Sequence, residues 1–288
     1  MTKNFRIIPR LDIKGPNVVK GIKMEGLRVV GRPELFAAKY YQDFADELVY
    51  IDTVASLYGR NSLSEIIHRA AEQIFIPLTV GGGIRTIEDI RNILRVGADK
   101  VAINTALFSN PELIKEASES FGAQCIVVSI QARKVYGTDK YECLTDNARE
   151  NTGVDVFEWV ERVVELGAGE ILLTSVDRDG TGTGFDQELV RRVSEFAPIP
   201  VIASGGAGNL QHIENIATEG KADAVCIGSM LHYDLLHYME ENGLYTEEGN
   251  IDFLKKKRGD SQARKTIQPT SIQNIKKYLL EREISVRL

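Results

Sequence analysis

Short β-branched runs alternate with amphipathic stretches along most of this chain. The runs at 6–12, 47–52, 76–80, 100–103, 125–130, 170–175, 200–203 and 223–227 are strand-sized. Between them, PELFAAKYYQDFA (33–45), SLSEIIHRAAEQI (62–74), TIEDIRNILRVG (86–97) and VFEWVERVVELG (156–167) repeat apolar residues at helical spacing. Thr86-Ile87-Glu88-Asp89 and Asn110-Pro111-Glu112 put a cap, then acids or Pro, where a first helical turn needs them. Strand then helix, eight times over, predicts a parallel sheet with right-handed crossovers.

The pattern is also internally repeated. IPLTVGGGIRTIEDIRNILRVGADKVAINTAL (76–107) matches IPVIASGGAGNLQHIENIATEGKADAVCIGSML (199–231) at an offset of 123 from Ile76 to Ile199. ADELVYID (45–52) and AGEILLTS (168–175) keep that offset, and RIIPRLDIK (6–14) pairs more loosely with CIVVSIQAR (125–133). Solenoid repeats are far shorter, whereas two halves of this size fill the usual length of a (β/α)₈ barrel. The predicted fold is an α/β TIM barrel in one domain, 1–288, made of half-barrels at about 1–122 and 123–231. Two segments fit the scheme badly. Residues 134–153 suggest a hairpin about Gly137-Thr138-Asp139, and 233–270 read as an insert before a last helix at 271–284. The insert holds a basic stretch, FLKKKRGDSQARK (253–265), read as a solvated loop or as a contact for a partner or polyanion.

Composition narrows the function. Hydrophobic residues make up 43% and charged residues 26% of the 288, which is ordinary for a globular protein. A net charge of −6 gives no general attraction to nucleic acid, and no apolar run approaches the length of a membrane span. The N-terminus shows no secretory signal pattern, so a cytoplasmic location is expected. Cys125, Cys143 and Cys226 lack paired spacing, and His68, His212, His232 and His237 share no ligand spacing. No metal and no cofactor are predicted.

Candidate chemistry lies at the ends of the strands. Gly81-Gly82-Gly83 and Ser204-Gly205-Gly206-Ala207-Gly208 each follow a strand and precede a helix, as do Asn104-Thr105 and Gly228-Ser229. In a barrel such loops share the C-terminal face, where glycine lets backbone amides approach an anion. Two repeat-related pairs predict two phosphate cradles across one mouth, hence an elongated bisphosphate ligand. Asp12 ends the first strand and is a candidate for proton transfer. Its repeat partner is Gln131, which cannot exchange a proton at neutral pH. Asp52, Asp177 and Asp179 also end strands, and Asp52 reads equally as a loop-orienting cap. At the strand starts, Arg6, Glu47, Lys100 and Glu170 supply two bases and two acids for a salt-bridged ring on the barrel floor, a plug or a gate.

RIIPRLDIK, ADELVYIDTVAS, PLTVGGGIR, GADKVAINTA, GAGEILLTSVDRDGTGTGFD and PVIASGGAG together resemble the cyclase subunit of imidazole glycerol phosphate synthase, outside 134–150 and 233–270. That resemblance implies a heterodimer with a glutaminase subunit, whose ammonia enters the floor and crosses the barrel. It implies reaction there with a phosphoribulosyl-formimino aminoimidazole carboxamide ribotide, a small bisphosphate. Products would be imidazole glycerol phosphate and aminoimidazole carboxamide ribotide, in histidine biosynthesis. By the same resemblance Gly83, Asn104 and Thr105 match one phosphate site, and Gly180, Ser204, Gly206, Gly228 and Ser229 the other. Asp12 matches the first catalytic aspartate, Arg6, Glu47, Lys100 and Glu170 the ammonia gate, and Asp99 the glutaminase face. Four features depart from the family, one of them the 233–270 insert. Gln131 stands at the second catalytic aspartate, Arg10 replaces a cysteine, and LRVVGRP (27–33) loses two acids. These departures cluster at the substrate end, so an alternative is a cyclase-impaired ammonia conduit serving a sugar amidotransferase in surface-polysaccharide biosynthesis. A phosphate-binding scaffold without chemistry is the third reading, and the intact ring argues against it.

Overall fold

The structure is a computed structural model that describes residues 4–55, 64–243 and 266–288. Eight parallel strands close into a barrel: β1 (Arg6–Lys14), β4 (Leu48–Asp52), β5 (Leu78–Gly81), β6 (Lys100–Ile103), β7 (Ile126–Lys134), β10 (Glu170–Ser175), β11 (Val201–Ser204) and β12 (Ala224–Ile227). β12 pairs with β1, and β7 with β10, so no barrel edge is left open. Helices follow the strands: α1 (Pro33–Gln42), α2 (Ser64–Ala71), α3 (Ile87–Val96), α4 (Thr105–Ser109), α5 (Leu113–Phe121), α6 (Val156–Glu165), α7 (Gln187–Phe196), α8 (Leu210–Thr218), α9 (Ser229–Glu241) and α10 (Ile272–Leu280). The predicted TIM barrel is the fold.

The strand period of two separates two cores. On β1, Ile7 faces the helices while Ile8 faces inward. The inner cluster takes Ile8, Val49, Ala102, Val127, Leu172, Ile202, Ala224 and Cys226, from seven of the eight barrel strands. The larger cluster lies between strands and helices. Both strand faces are therefore buried, which is why the runs read as continuously apolar.

The hairpin expected about Gly137-Thr138-Asp139 is present, and the insert departs from the sequence reading. Residues 134–153 form the antiparallel strands β8 (Tyr141–Thr145) and β9 (Glu150–Asp155) beyond β7. They have a counterpart, since β1 runs on into the antiparallel pair β2 (Asn17–Ile22) and β3 (Glu25–Gly31). The segment that fits badly in sequence is thus the repeat mate of the first hairpin, whose strands the sequence did not reveal. The insert is shorter than read. Residues 233–241 belong to α9, because Leu235, Leu236 and Met239 continue its buried face. The basic stretch 253–265 lies outside the described residues, and the last helix spans 272–280 rather than 271–284.

Candidate functional site

The two glycine turns are built alike. Gly82 has φ of 106°, and a Cβ there would lie 2.4 Å from the Asp52 carbonyl oxygen. Gly205 has φ of 90°, and a Cβ there would lie 2.6 Å from the Ser175 carbonyl oxygen. Both glycines are thus required by the turn, and Asp52 and Ser175 are repeat mates as well. Each turn leaves an open hollow at the barrel mouth. The first-half hollow, about 590 Å³, is lined by Gly83, Asn104, Thr105, Ser129 and Gln131 among others. The second-half hollow, about 410 Å³, is lined by Arg10, Asp12, Lys20, Gly180, Ser204, Gly206, Gly228 and Ser229. All eight residues assigned to phosphate sites line the hollow of their own half.

Side-chain caps close five of the helix starts. α3, α6, α7, α8 and α10 each have a side chain bonded to a first-turn amide, from Thr86, Asp155, Asp186, Asn209 and Ser271. Like α1 and α5, α4 and α9, which start in the hollows, have no such side-chain cap. Their first amides have no side-chain acceptor and suit an incoming anion.

Asp12 and Gln131 sit on β1 and β7, four strands apart in either direction around the barrel, hence diametrically opposed. Each side chain is held by a neighbour. The Gln131 side chain is buried, and its Oε1 accepts the Ala148 amide at 2.7 Å. Ala148 ends three consecutive left-handed residues, Asp146, Asn147 and Ala148, with φ of 50°, 57° and 62°. This turn roofs the first-half hollow: Asp146 donates its amide to Thr105 Oγ1 at 3.1 Å, and Asn147 lines the wall. Gln131 is therefore an anchor for the roof.

Asp12 is bound at 2.9 Å by the Nε of Arg10. The spacing of two on one strand puts both side chains inside the barrel. Arg10 is buried, and its Nη1 also reaches Thr174 Oγ1 at 3.2 Å and Ser204 Oγ at 3.3 Å. Burial disfavours its charge, but the Asp12 and Asp179 carboxylates outweigh that and hold its pKa above the ordinary value. Behind it lies His232, whose Nδ1 is 2.7 Å from the Tyr40 hydroxyl. Burial pushes the His232 pKa down to about 3, so the ring is neutral at pH 7. Cys226, beside Arg10, is pushed up to about 12, chiefly by burial, and stays a thiol. The sequence reading singled out neither Lys20 nor Asn147. It marked Arg10 only as a substitution, although the Arg10/Asp12 spacing was a usable signal.

Two of the other strand-end acids, Asp52 and Asp177, orient backbone. Asp52 Oδ1 accepts the amides of Val54 and Ala55, at 3.0 and 2.9 Å, which is the loop-orienting role. Asp177 accepts the Lys134 amide at 2.9 Å.

At the barrel floor, Arg6, Glu47, Lys100 and Glu170 close into a ring. Arg6 reaches Glu47 at 2.6 Å and Glu170 at 2.5 Å, and Lys100 reaches the same two acids at 2.9 and 3.0 Å. Burial works against the Arg6 and Lys100 charges, yet the two glutamates raise both pKa values. Asp99 lies beside the ring, where its Oδ2 accepts the Leu78 amide at 2.9 Å. Its repeat mate Asp223 accepts the Val201 amide at 2.7 Å. Among the described residues, no cluster of three His, Cys, Asp or Glu is arranged to hold a metal, and no helix is long and apolar enough to cross a membrane.

Comparison with known proteins bears on the same elements. Residues 6–237 match the sequence profile of the family described as "Histidine biosynthesis protein". The chain is 58% identical over 208 residues to imidazole glycerol phosphate synthase subunit HisF of Legionella pneumophila, covering 72% of this chain and 98% of the relative. The matched span runs from β1 through both hollows into α9, and it makes this chain a member of the histidine biosynthesis protein family, similar to the synthase's cyclase subunit.

Proposed function

We propose that this chain is the synthase subunit of a glutamine-dependent imidazole glycerol phosphate synthase, acting in the cytoplasm with a separate glutaminase. The observation that carries this reading is the pair of repeat-related hollows, each with an uncapped helix start, on opposite sides of the mouth. They suit the two phosphates of an elongated substrate. Gly83, Asn104 and Thr105 hold one phosphate, and Gly180, Ser204, Gly206, Gly228 and Ser229 hold the other. Asp12 is the remaining carboxylate for proton transfer between them. The ring of Arg6, Glu47, Lys100 and Glu170 is the gate for ammonia, and Asp99 faces the glutaminase. The test is co-purification with a glutaminase of the same genome, followed by product formation from the ribulosyl substrate with glutamine or an ammonium salt. A chain that neither binds nor activates any such glutaminase ends this reading.

A specific observation favours a second reading. Gln131 is committed to the Ala148 amide and Asp12 to Arg10, so both positions of an acid–base pair are engaged. Loss of one general acid or base costs about 10²–10⁴-fold in rate. The second reading keeps the gate and glutaminase but delivers ammonia to another acceptor, such as a sugar carboxyl group. Glutaminase activation without cyclisation is its signature.

A further inference from the structure

Arg10 has donors to spare. Its Nε binds Asp12, and its Nη1 binds Thr174 and Ser204, while Nη2 has no hydrogen-bond partner among the described residues. The residue is only 6% exposed, yet it forms part of the wall of the second-half hollow. Nη2 is not among the fully buried unpaired atoms, so its two N–H groups are open to the hollow and can donate to an acceptor that enters it.

The surroundings specify what that acceptor is. Lys20 lines the same hollow, as do Gly206, Gly228 and Ser229 at the uncapped start of α9. α9 is thirteen residues long, and its N-terminus carries a partial positive charge. Ser204 Oγ accepts from Arg10, so its own proton is free to point at a ligand. His232, neutral at pH 7, adds no charge. Asp12 and Asp179 are the acids in the wall; Arg10 is bonded to the first and feels the field of the second. Two cations, a helix start and hydroxyl donors around a small polar hollow fit a dianionic phosphoryl group, for which a guanidinium edge is well shaped.

We propose that Arg10 is a direct ligand of the phosphoryl group in the second-half hollow. By holding Asp12 through Nε and the phosphoryl oxygens through Nη2, Arg10 also fixes the distance between that phosphate and the carboxylate. The two hollows then differ: the second binds its anion partly through a buried side-chain cation, the first does not. This inference rests on the two-phosphate reading above.

The experiment titrates the full-length chain with inorganic phosphate and follows backbone amides by NMR. Gly83 and Thr105 report the first hollow, and Gly206 and Ser229 the second. For the native chain, saturable shifts are expected at both, with a shift of the Arg10 side-chain nitrogens tracking the second. Arg10→Met should weaken the second site at least tenfold and leave the first within twofold. Arg10→Lys should fall between, since it keeps charge without the planar fork. Unchanged affinity at Gly206 and Ser229 in Arg10→Met overturns the inference while leaving the two-phosphate reading intact. Native Arg10 nitrogens that stay still while Gly206 saturates overturn it too, without recourse to a variant. Absence of any phosphate response at either hollow removes both this inference and the reading beneath it.

Discussion

Replacing Gln131 separates its two roles, as an anchor and as a missing carboxylate. Its Oε1 accepts the Ala148 amide at 2.7 Å. Aspartate reaches about 1.3 Å less, one carbon–carbon bond projected along the chain, which opens the contact to about 4 Å. The buried Ala148 amide then loses its acceptor, at a cost of about 1–3 kcal/mol. The roof turn already holds three non-glycine residues in the left-handed region, each unfavourable by about 1–2 kcal/mol, so it has little margin. At roughly 2–4 °C per kcal/mol for a chain of this size, Gln131→Asp should lower Tm by several degrees. Gln131→Glu has the native length and should keep the bond, with a Tm nearest the native value at low pH, where its carboxyl is protonated in both states. It also introduces a carboxyl whose pKa burial raises towards the range useful for proton transfer. Under the cyclase reading, Gln131→Glu should increase ammonium-dependent formation of imidazole glycerol phosphate, by up to about 10²–10⁴-fold. Calorimetry and product formation read the two roles independently. A Gln131→Asp variant with native Tm and more activity than Gln131→Glu would refute the anchoring argument.

Other consequences are as direct. Asp99→Ala and Asp223→Ala each remove an acceptor from a strand-opening amide and should each cost about 1–2 kcal/mol in urea unfolding; Asp99→Asn, which removes charge but keeps an acceptor, should weaken glutaminase binding, and Asp223→Asn should not. Glu170→Gln takes one carboxylate from a ring that serves two cations, and it should lower glutamine-dependent turnover more than turnover with an ammonium salt; equal losses would make the ring a plug. His232 titrates at about 3 in the fold and about 6.5 unfolded, so its contribution is full above pH 6.5 and is lost as pH falls towards 3. The native chain should therefore lose up to about 5 kcal/mol relative to His232→Leu across that range, measured by urea unfolding at pH 7, 5 and 4, and a constant difference would exclude this role. Gly82→Ala should destabilise the barrel and first-half phosphate binding together, because the Asp52 carbonyl occupies the space.

The sequence by itself determined the barrel, its repeat and the paired glycine turns that open the two hollows. The physical reason is periodicity. Strands buried on both faces read as apolar runs, helices as amphipathic ones, and a duplicated half leaves Gly82 and Gly205 in matching turns. The floor ring was legible too, because charged residues that begin four buried strands have few places to go but toward one another. Tertiary structure decided the remainder. Hairpin β2–β3 was hidden because its pairing partners, not its composition, make it a sheet. The helical nature of residues 233–241 depended on a buried face supplied by neighbouring elements. Gln131 looked like a lost carboxylate, and its bond to Ala148 seventeen residues on shows a different task. Arg10 looked like a stray substitution until Asp12, Thr174 and Ser204 closed around it from three strands. Hydrogen bonds between distant segments leave no period in a sequence, so what a buried polar residue does is settled only when the barrel closes.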